Sequence, residues 1–263
     1  MKTDGILFLM YHEIEALGRL VSNTDPGYVR YVVDEAEFQR HLELMRTAGL
    51  RGVTVTEALA GLPDHRHTSV ALTFDDGCET DHAVAAPMLR NMGFNATLFI
   101  VAGFVGMRHF LTRSQLRELH EAGFEIGSHS MNHRHLTDLS DEELTRELRE
   151  SKDALEQIIG AAVLNMSCPN GRWNARVARF AKDIGYQTVS TSRIARNFQD
   201  TDRFNLARLP IMRNLPGKEL GRLFAGASLT GYQRKAAILK FAKHALGNTL
   251  YDRLRSMMLD RAG

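Results

Sequence analysis

The feature that most constrains the fold is an order of elements that repeats along the chain: a short apolar run, a helical run and then a glycine. Strand–helix alternation predicts a parallel sheet, and seven or eight such units predict closure into a barrel. The runs predicted to be strands are Ile6 to Met10, Gly52 to Val55, Val70 to Phe74, Ala96 to Val101, Phe124 to Gly127, Val163 to Ser167, Tyr186 to Ser190 and Leu206 to Met212.

Helix starts and stops support this reading. Ser140 precedes a periodic apolar run that extends to Ile159, and Glu143 follows three residues later, which is the pattern of a capping box. Thr112 and Gln115 repeat the pattern. Glycines follow the helical runs at the positions where a left-handed C-cap is expected.

Composition excludes several classes of protein. The chain has 263 residues, 44% of them apolar, which is enough to bury a full core. No window approaches the roughly 20 apolar residues of a membrane span, and residues 1–5 lack the features of a secretory signal. A cytoplasmic protein is therefore expected. The two cysteines have no partner spacing, which predicts neither a disulfide framework nor a cysteine-based zinc site.

Charge is distributed unevenly between two regions. From Gly217 onward there are nine Lys or Arg residues against three Asp or Glu, which leaves twenty-four against twenty-eight in the rest of the chain. Since only the tail is basic, binding of nucleic acid by the whole protein is not expected. The sequence predicts a catalytic domain over residues 1–215 and a basic helical tail over residues 216–263.

The tail combines basic and apolar residues in an amphipathic pattern. Such a helix either lies on an anionic membrane surface, as a peripheral contact, or packs on the barrel. The basic residues of the pattern are Arg222, Arg234, Lys235, Lys240 and Lys243, and the apolar ones are Leu223, Phe224, Ile238, Leu239 and Phe241.

Polar residues follow the predicted strands at their carboxyl ends, and in a barrel of this kind those ends share the face that carries the active site. Residues far apart in sequence are therefore expected to converge there. They are Tyr11 and His12, Asp75 and Asp76, Ser128 and His129, Pro169 and Asn170, and Thr191 and Ser192.

The histidines of GSHSMNH suggest a metal site. His129 and His133 are four residues apart, and on one helical turn that spacing points both rings the same way. Two imidazoles and one carboxylate of the Asp75–Asp76 pair form a three-ligand set that leaves positions open for water and substrate. The second carboxylate can then take the proton from the attacking water. A solvated turn at the Asp pair and a helix-capping role for His133 are the alternatives.

The residues also resemble a family. LTFDDG at Leu72 to Gly77, HSMNH at His129 to His133 and CPNG at Cys168 to Gly171 resemble the polysaccharide deacetylases, carbohydrate esterases with NodB-type homology. The resemblance runs from about Ile6 to Asn214. It implies a distorted (β/α) barrel of about seven strands and hydrolysis of acetyl groups, N-acetyl above all, on an amino-sugar polysaccharide or oligosaccharide.

The resemblance also implies roles for individual residues. Asp75 is the general base, whereas Asp76, His129 and His133 hold a divalent metal ion, for which zinc is the expected identity. Adjacent carboxylates fit a glycosidase poorly, because its two carboxyl groups must flank the scissile bond. A catalytically inactive relative that binds glycan remains the other alternative.

Two departures from the family pattern affect the site. The arginine that commonly orients the catalytic Asp is missing from the CPNG motif, and Arg208 either replaces it or lies at the surface. The late general-acid histidine is also missing. However, LMYHEI at Leu9 to Ile14 resembles the opening of the biofilm-polysaccharide deacetylases, whose acid histidine sits near the N-terminus. His12 is therefore the candidate acid, with a core histidine as the alternative.

Residues after the sixth predicted strand are candidates for substrate binding. Trp173 is either a core anchor at a helix start or a wall on which a sugar stacks. The full set of substrate-binding candidates is Pro169, Asn170, Gly171, Trp173 and Arg208.

Overall fold

Strands and helices alternate along the chain in a computed structural model that describes residues 5–62, 68–234 and 236–238. The strands are β1 (Phe8–Tyr11), β2 (Ile14–Glu15), β3 (Val33–Asp34), β4 (Arg51–Val53), β5 (Ser69–Asp76), β6 (Thr97–Ile100), β7 (Glu125–Ser128), β8 (Asn165–Ser167), β9 (Thr188–Ser190) and β10 (Leu209–Pro210). The helices are α1 (Pro26–Val29), α2 (Glu35–Thr47), α3 (Val55–Gly61), α4 (Ala86–Asn91), α5 (Arg113–Glu121), α6 (Asp141–Ile159), α7 (Ala175–Ile184) and α8 (Gly217–Phe224).

The main sheet is parallel and closes on itself. Its strand order is β10-β1-β5-β6-β7-β8-β9, and β4 pairs with the first half of β5. The segment before β10 joins the two ends, because Leu206 bridges to Ser190 of β9 while Leu209 pairs with Leu9 of β1. Helices cover the outside. The predicted (β/α) barrel is confirmed, and each of the eight predicted strands overlaps a segment of this sheet.

A separate small sheet lies outside the barrel. Its strands β2 and β3 pair Ile14 with Val33 and Glu15 with Asp34. Two residues per strand are too few for an alternating apolar pattern to be recognised, so sequence analysis missed both strands. The segment between them, residues 16–32, contains helix α1 and contributes to the wall of the cavity described below.

The predicted helix signals form hydrogen bonds as expected. The Ser140 hydroxyl accepts from the Glu143 amide at 3.2 Å, and the Glu143 carboxylate accepts from the Ser140 amide at 3.0 Å. Gly160 ends the same helix with a φ of 70°, a conformation that favours glycine. The Thr112 capping box is present too.

The beginning of the predicted tail packs on the barrel. In α8, Leu220 and Leu223 are buried in the core, and Arg196 donates to the Leu223 carbonyl at 2.7 Å. The tail residues Lys235, Leu239, Lys240, Phe241 and Lys243 lie outside the described residues. Within the described part of the chain, no helix has the length and apolar character needed to cross a membrane. Membrane contact and cellular location stay predictions.

Candidate active site

The Asp75–Asp76 pair stands at the end of β5, the longest of the described strands. Asp75 and Asp76 are the last residues of β5, and both are buried. Asp76 has a φ of 80°, which turns the chain sharply at this point, and the two neighbouring carboxylates enter different surroundings.

Arg208 holds the Asp75 carboxylate from within the barrel. Nη1 donates to Oδ1 at 2.7 Å and Nη2 donates to Oδ2 at 2.8 Å, the bidentate geometry that makes such pairs strong. The other donors of the guanidinium contact the Thr73 hydroxyl, the Ser167 hydroxyl and the Thr191 carbonyl. All five donors of Arg208 are therefore used on protein atoms.

The two carboxyl groups differ in their affinity for a proton. Burial alone would raise the pKa of Asp75, but Arg208, with smaller contributions from His129 and His12, holds the pKa well below its usual range. Burial raises the pKa of Asp76 to about 6; His12 opposes this shift, and Asp75 and Glu13 add to it. Asp75 is thus an anion near neutral pH, whereas the charge of Asp76 needs a nearby cation to be stabilised.

Asp76 converges with two imidazoles. Its Oδ1 lies 3.6 Å from His129 Nε2 and 3.4 Å from His133 Nε2. The three candidate ligand atoms lie within 4.8 Å of one another, and the buried Asp76 Oδ1 has no hydrogen-bond partner among the described residues. Of the described residues, these alone form a group of three or more with such spacing.

The donor set fits a divalent metal ion. His129 Nδ1 lies 3.0 Å from the Ser167 carbonyl, and a proton on Nδ1 leaves Nε2 with a free lone pair that points toward Asp76. Burial lowers the pKa of His129 to about 3 and also lowers that of His133, which keeps both rings neutral, as ligation requires. Two imidazoles and a carboxylate match the ligands that zinc prefers in catalytic sites.

A loop, and not a helix, brings the two imidazoles together. The helical turn expected for residues 129–133 is wrong: these residues form bends and irregular backbone. Ser130 has a φ of 66° and His133 a φ of 54°, both in the left-handed region. The Ser130 hydroxyl accepts from the His133 amide at 3.1 Å, so a local side chain helps to hold this unusual turn.

A buried carboxylate on α6 fixes the same loop. Glu147 is 4% exposed and accepts from the amides of Met131 and Asn132 at 3.1 and 2.9 Å. It also accepts from the Asn132 side-chain amide at 2.8 Å. These bonds hold the backbone that carries His133.

A cavity of about 630 Å³ opens above the pair. His12 lines this cavity together with Asp75, Asp76, His129 and His133. The predicted convergence of strand ends therefore brings the candidate acid, the candidate base and the candidate ligands to one place. The roles of these residues stay predictions.

The substrate-binding candidates separate into two groups. Asn170 and Gly171 line the cavity. A Cβ on Gly171 would lie 2.2 Å from the Ser192 hydroxyl, so only glycine allows this close approach. Pro169 is buried beneath them.

Trp173 and Arg208 are not at the cavity surface. The Trp173 indole donates to the Phe204 carbonyl at 2.7 Å and packs against the core, which favours the core-anchor alternative. Arg208 is fully buried and holds the Asp75 carboxylate, so it is not placed to bind substrate as expected. The surface alternative for Arg208 is wrong.

Sequence analysis missed most of one wall of the cavity. Tyr28 and Tyr31, from the segment that joins β2 to β3, lie near His12, and Arg172 also lines the cavity. Aromatic residues shortly after a strand-end histidine were the available signal, but no periodic pattern marks their direction. The remaining missed lining residues include Asn23, Asp25, Pro26, Gly27 and His135.

Comparisons with known proteins agree with this geometry. The polysaccharide deacetylase family model matches residues 63–189. YxkH of Bacillus subtilis (strain 168), named after the same family, is 28% identical over 223 residues, which are 84% of this chain and 76% of that protein. The poly-beta-1,6-N-acetyl-D-glucosamine N-deacetylase of Staphylococcus aureus is 24% identical over 194 residues, 66% of this chain and 67% of that protein.

A solved structure of similar shape carries the same kind of name. The deacetylase PplD of Streptococcus pyogenes, in complex with acetate, has a TM-score of 0.74 at 25% identity, and the alignment covers 83% of this chain and 97% of that one. The region that matches the family model, residues 63–189, contains the Asp75–Asp76 pair, His129 and His133. The resemblance seen in the sequence is confirmed: the chain contains a polysaccharide deacetylase domain over residues 63–189, and relatives that match most of the chain carry the name of the same family.

Proposed function

We propose that the protein is a metal-dependent deacetylase that removes N-acetyl groups from an amino-sugar polysaccharide or oligosaccharide. The polysaccharide deacetylase domain matched over residues 63–189 supports a carbohydrate deacetylase in general terms. The name of the Staphylococcus aureus relative assigns that protein to an N-acetylglucosamine polymer, which supports an N-acetyl substrate here.

One observation carries the proposal: a buried carboxylate oxygen of Asp76 without a hydrogen-bond donor faces two neutral imidazoles, directly beside an Asp75 carboxylate that Arg208 keeps ionised. A buried carboxylate oxygen without a partner is costly unless a cation binds it. The neighbouring anion, fixed by two hydrogen bonds, has the charge and the position of a general base.

The roles of the residues follow from their contacts. Asp76, His129 and His133 would hold the cation, which supplies polarisation of the acetyl carbonyl and lowers the pKa of a water molecule. Asp75 accepts the proton from the attacking water. Arg208 and the Ser167 hydroxyl both donate to this carboxylate, so it does not need to reorganise when it reacts.

His12 is the proposed acid for the leaving amine. An amide expels a poor leaving group, so the nitrogen must be protonated as the bond breaks. Imidazole is the side chain best suited to this near neutral pH. The rings of His129 and His133 are assigned to the cation, and His82 is paired with Glu118 at 2.8 Å. His12 is the other histidine beside the Asp pair at a described strand end.

The experiment that tests the proposal measures acetate release from an acetylated chito-oligosaccharide. Release is expected in the purified protein, lost on treatment with a chelator and restored by zinc. Release that persists after complete removal of metal would contradict metal dependence. No release in the presence of bound zinc would instead favour the inactive, glycan-binding relative.

A further inference from the structure

A second buried carboxylate lies directly after the candidate acid. Glu13 is 2% exposed and its side chain faces the segment between β2 and β3. It accepts from the Ser22 amide at 2.9 and 3.0 Å, from the Ser22 hydroxyl at 2.7 Å and from the Tyr28 hydroxyl at 3.1 Å. These bonds tie one wall of the cavity to the residue that follows His12.

Tyr28 is the central member of this cluster. Besides Glu13, its hydroxyl contacts the Ser22 hydroxyl at 3.0 Å and the thiol of Cys78 at 3.3 Å. Burial is the largest cause that raises the pKa of Tyr28, so the hydroxyl keeps its proton and donates a hydrogen bond to Glu13. The hydroxyl end of Tyr28 is thereby fixed at several points.

The ring of Tyr28 contacts the candidate acid. It meets the His12 imidazole edge-on, with ring centroids 6.4 Å apart, and Tyr31 lies at 5.0 Å in a tilted arrangement. His12 Nδ1 is buried, and no hydrogen-bond partner for it is found in the part of the chain that the structure describes. The orientation of His12 is therefore set by aromatic packing, in contrast to His129, whose ring is held by the Ser167 carbonyl.

We propose that Glu13 is a positioning residue for the acid step: by holding the hydroxyl of Tyr28, it fixes the aromatic ring that orients His12 toward the leaving amine. The inference rests on the proposed role of His12 as the acid. Since Glu13 itself does not line the cavity, it acts through Tyr28 and not on the substrate.

Two buried glutamates, Glu13 and Glu147, each hold a segment that carries or contacts a candidate site residue. Glu13 accepts a hydrogen bond from a backbone amide of the wall beside His12. Glu147 accepts hydrogen bonds from two backbone amides of the loop that carries His133. Loss of Glu13 should impair proton donation alone. Loss of Glu147 should loosen a metal ligand and impair every reaction that needs the metal.

The test compares an acetamide with an activated acetate ester, because an ester with a good leaving group needs no acid. For Glu13→Ala and Tyr28→Phe, kcat on an N-acetyl oligosaccharide should fall by about 10- to 100-fold, the effect of a misplaced catalytic group. The kcat on an aryl acetate should stay within about twofold, and zinc content should not change. Tyr28→Phe keeps the ring, so it provides the test if Glu13→Ala fails to fold.

Matched variants sharpen the comparison. Glu147→Gln should lower zinc content and both activities together. Glu156 does not line the cavity, and its carboxylate accepts a hydrogen bond from the Val163 amide at 2.8 Å. Glu156→Gln should therefore leave the ratio of the two activities unchanged. Glu13→Gln should recover part of the amide activity, because its amide oxygen still accepts hydrogen bonds.

Each result has a definite meaning. Equal losses on the amide and the ester in Tyr28→Phe would show a general structural role and overturn the inference, as would unchanged amide activity in both Glu13→Ala and Tyr28→Phe. His12→Ala separates this failure from failure of the acid assignment. If His12→Ala loses amide activity selectively but the other two variants do not, only the positioning role falls. Faster hydrogen exchange at the Ser22 amide in Glu13→Ala would show that the wall has been released.

Discussion

At the amino ends of the strands, polar side chains form hydrogen bonds with one another. Near the carboxyl ends, several buried polar atoms have no hydrogen-bond partner among the described residues. Each of the strands β6 to β9 begins with a polar residue: Thr97, Glu125, Asn165 and Thr188. Thr97 and Thr56 of α3 both donate to the Glu125 carboxylate, and Thr188 donates to the Asn165 side chain at 2.6 Å.

The carboxyl ends follow a different pattern. Asp76 Oδ1, His12 Nδ1 and both carboxylate oxygens of Asp81 are buried without a hydrogen-bond partner among the described residues. Since nearly all buried polar groups in proteins are paired, such a concentration needs an explanation. For Asp76 and His12, the explanation offered by the site is a ligand: a cation for the carboxylate and a substrate for the imidazole.

The difference teaches which end of the barrel serves stability and which serves chemistry. A satisfied network such as that of Thr97 and Glu125 rigidifies the strands. Unsatisfied groups cost stability and persist where function needs them. Substitutions at the two ends should therefore separate effects on folding from effects on turnover.

The largest effect is expected for Asp75→Asn. The amide cannot accept a proton from water, so kcat on an acetylated oligosaccharide should fall by about 10²–10⁴-fold. Steady-state kinetics checks this, with metal content measured on the same sample. An activity within tenfold of the unmodified protein would remove Asp75 from the mechanism.

Removal of Arg208 should change stability and pH dependence together. Arg208→Met leaves the Asp75 carboxylate buried without its partner, which costs about 3–5 kcal/mol of unfolding free energy. Because Arg208 lowers the pKa of Asp75, the variant should have a higher pKa there. The acidic limb of kcat/KM against pH should move to higher pH. An unmoved limb in the folded variant would contradict the assignment of Asp75 as the base.

The sign of the stability effect can be checked separately. In the unmodified protein the pKa of Asp75 is lower in the folded state than in the unfolded state, so its contribution is present above the unfolded value of about 3.9 and is lost as pH falls through the folded value. The difference in unfolding free energy between Arg208→Met and the unmodified protein should be largest near pH 7. It should shrink below about pH 4, as urea titrations at both values would show.

Thr97→Val tests the amino end of the barrel. Thr97 donates to Glu125 and accepts from the Val55 amide at 2.8 Å, so valine leaves that amide without its partner. A loss of about 1–3 kcal/mol in unfolding free energy is expected, with kcat unchanged. A tenfold fall in kcat would mean that the two ends are not separable in this way.

The smallest effect, and one of opposite sign, is expected for Asp81→Asn. Burial raises the pKa of Asp81 well above its usual range, so the folded protein holds a proton that the unfolded chain releases above about pH 4, and stability falls as pH rises. The variant should gain about 1 kcal/mol near pH 7 and nothing below pH 4. Asp153→Asn, at an exposed position on α6, serves as the control in the same thermal melts.

Much of the fold follows from local patterns. The eight predicted strands and the capping boxes at Ser140 and Thr112 depend on periodicity and hydrogen bonds that operate within a few residues. The strands β2 and β3 could not be predicted, because two residues per strand are too few to show an alternating apolar pattern. The segment from Leu206 to Met212 was predicted as a strand, but its role in closing the sheet depends on contacts with both β9 and β1.

The site was predictable where a motif fixes the residue type and less so where geometry decides. Asp75, Asp76 and His129 were selected because their chemistry and their positions at strand ends agree, and His133 was selected by its spacing from His129. The left-handed turn at Ser130 and His133 has no sequence signature, since neither residue is glycine. Arg208 reaches Asp75 only because the barrel closes, a long-range consequence that no local pattern contains.

The most direct test of the central claim is the zinc content of four proteins after dialysis against zinc and then against buffer: the unmodified chain, Asp75→Asn, Asp76→Ala and His133→Ala. About one zinc ion per chain is expected in the unmodified chain and in Asp75→Asn. Little zinc is expected in Asp76→Ala and His133→Ala, because each lacks a ligand. Equal zinc in all four, or equal loss from Asp75→Asn and Asp76→Ala, would contradict the division of the pair into a base and a metal ligand.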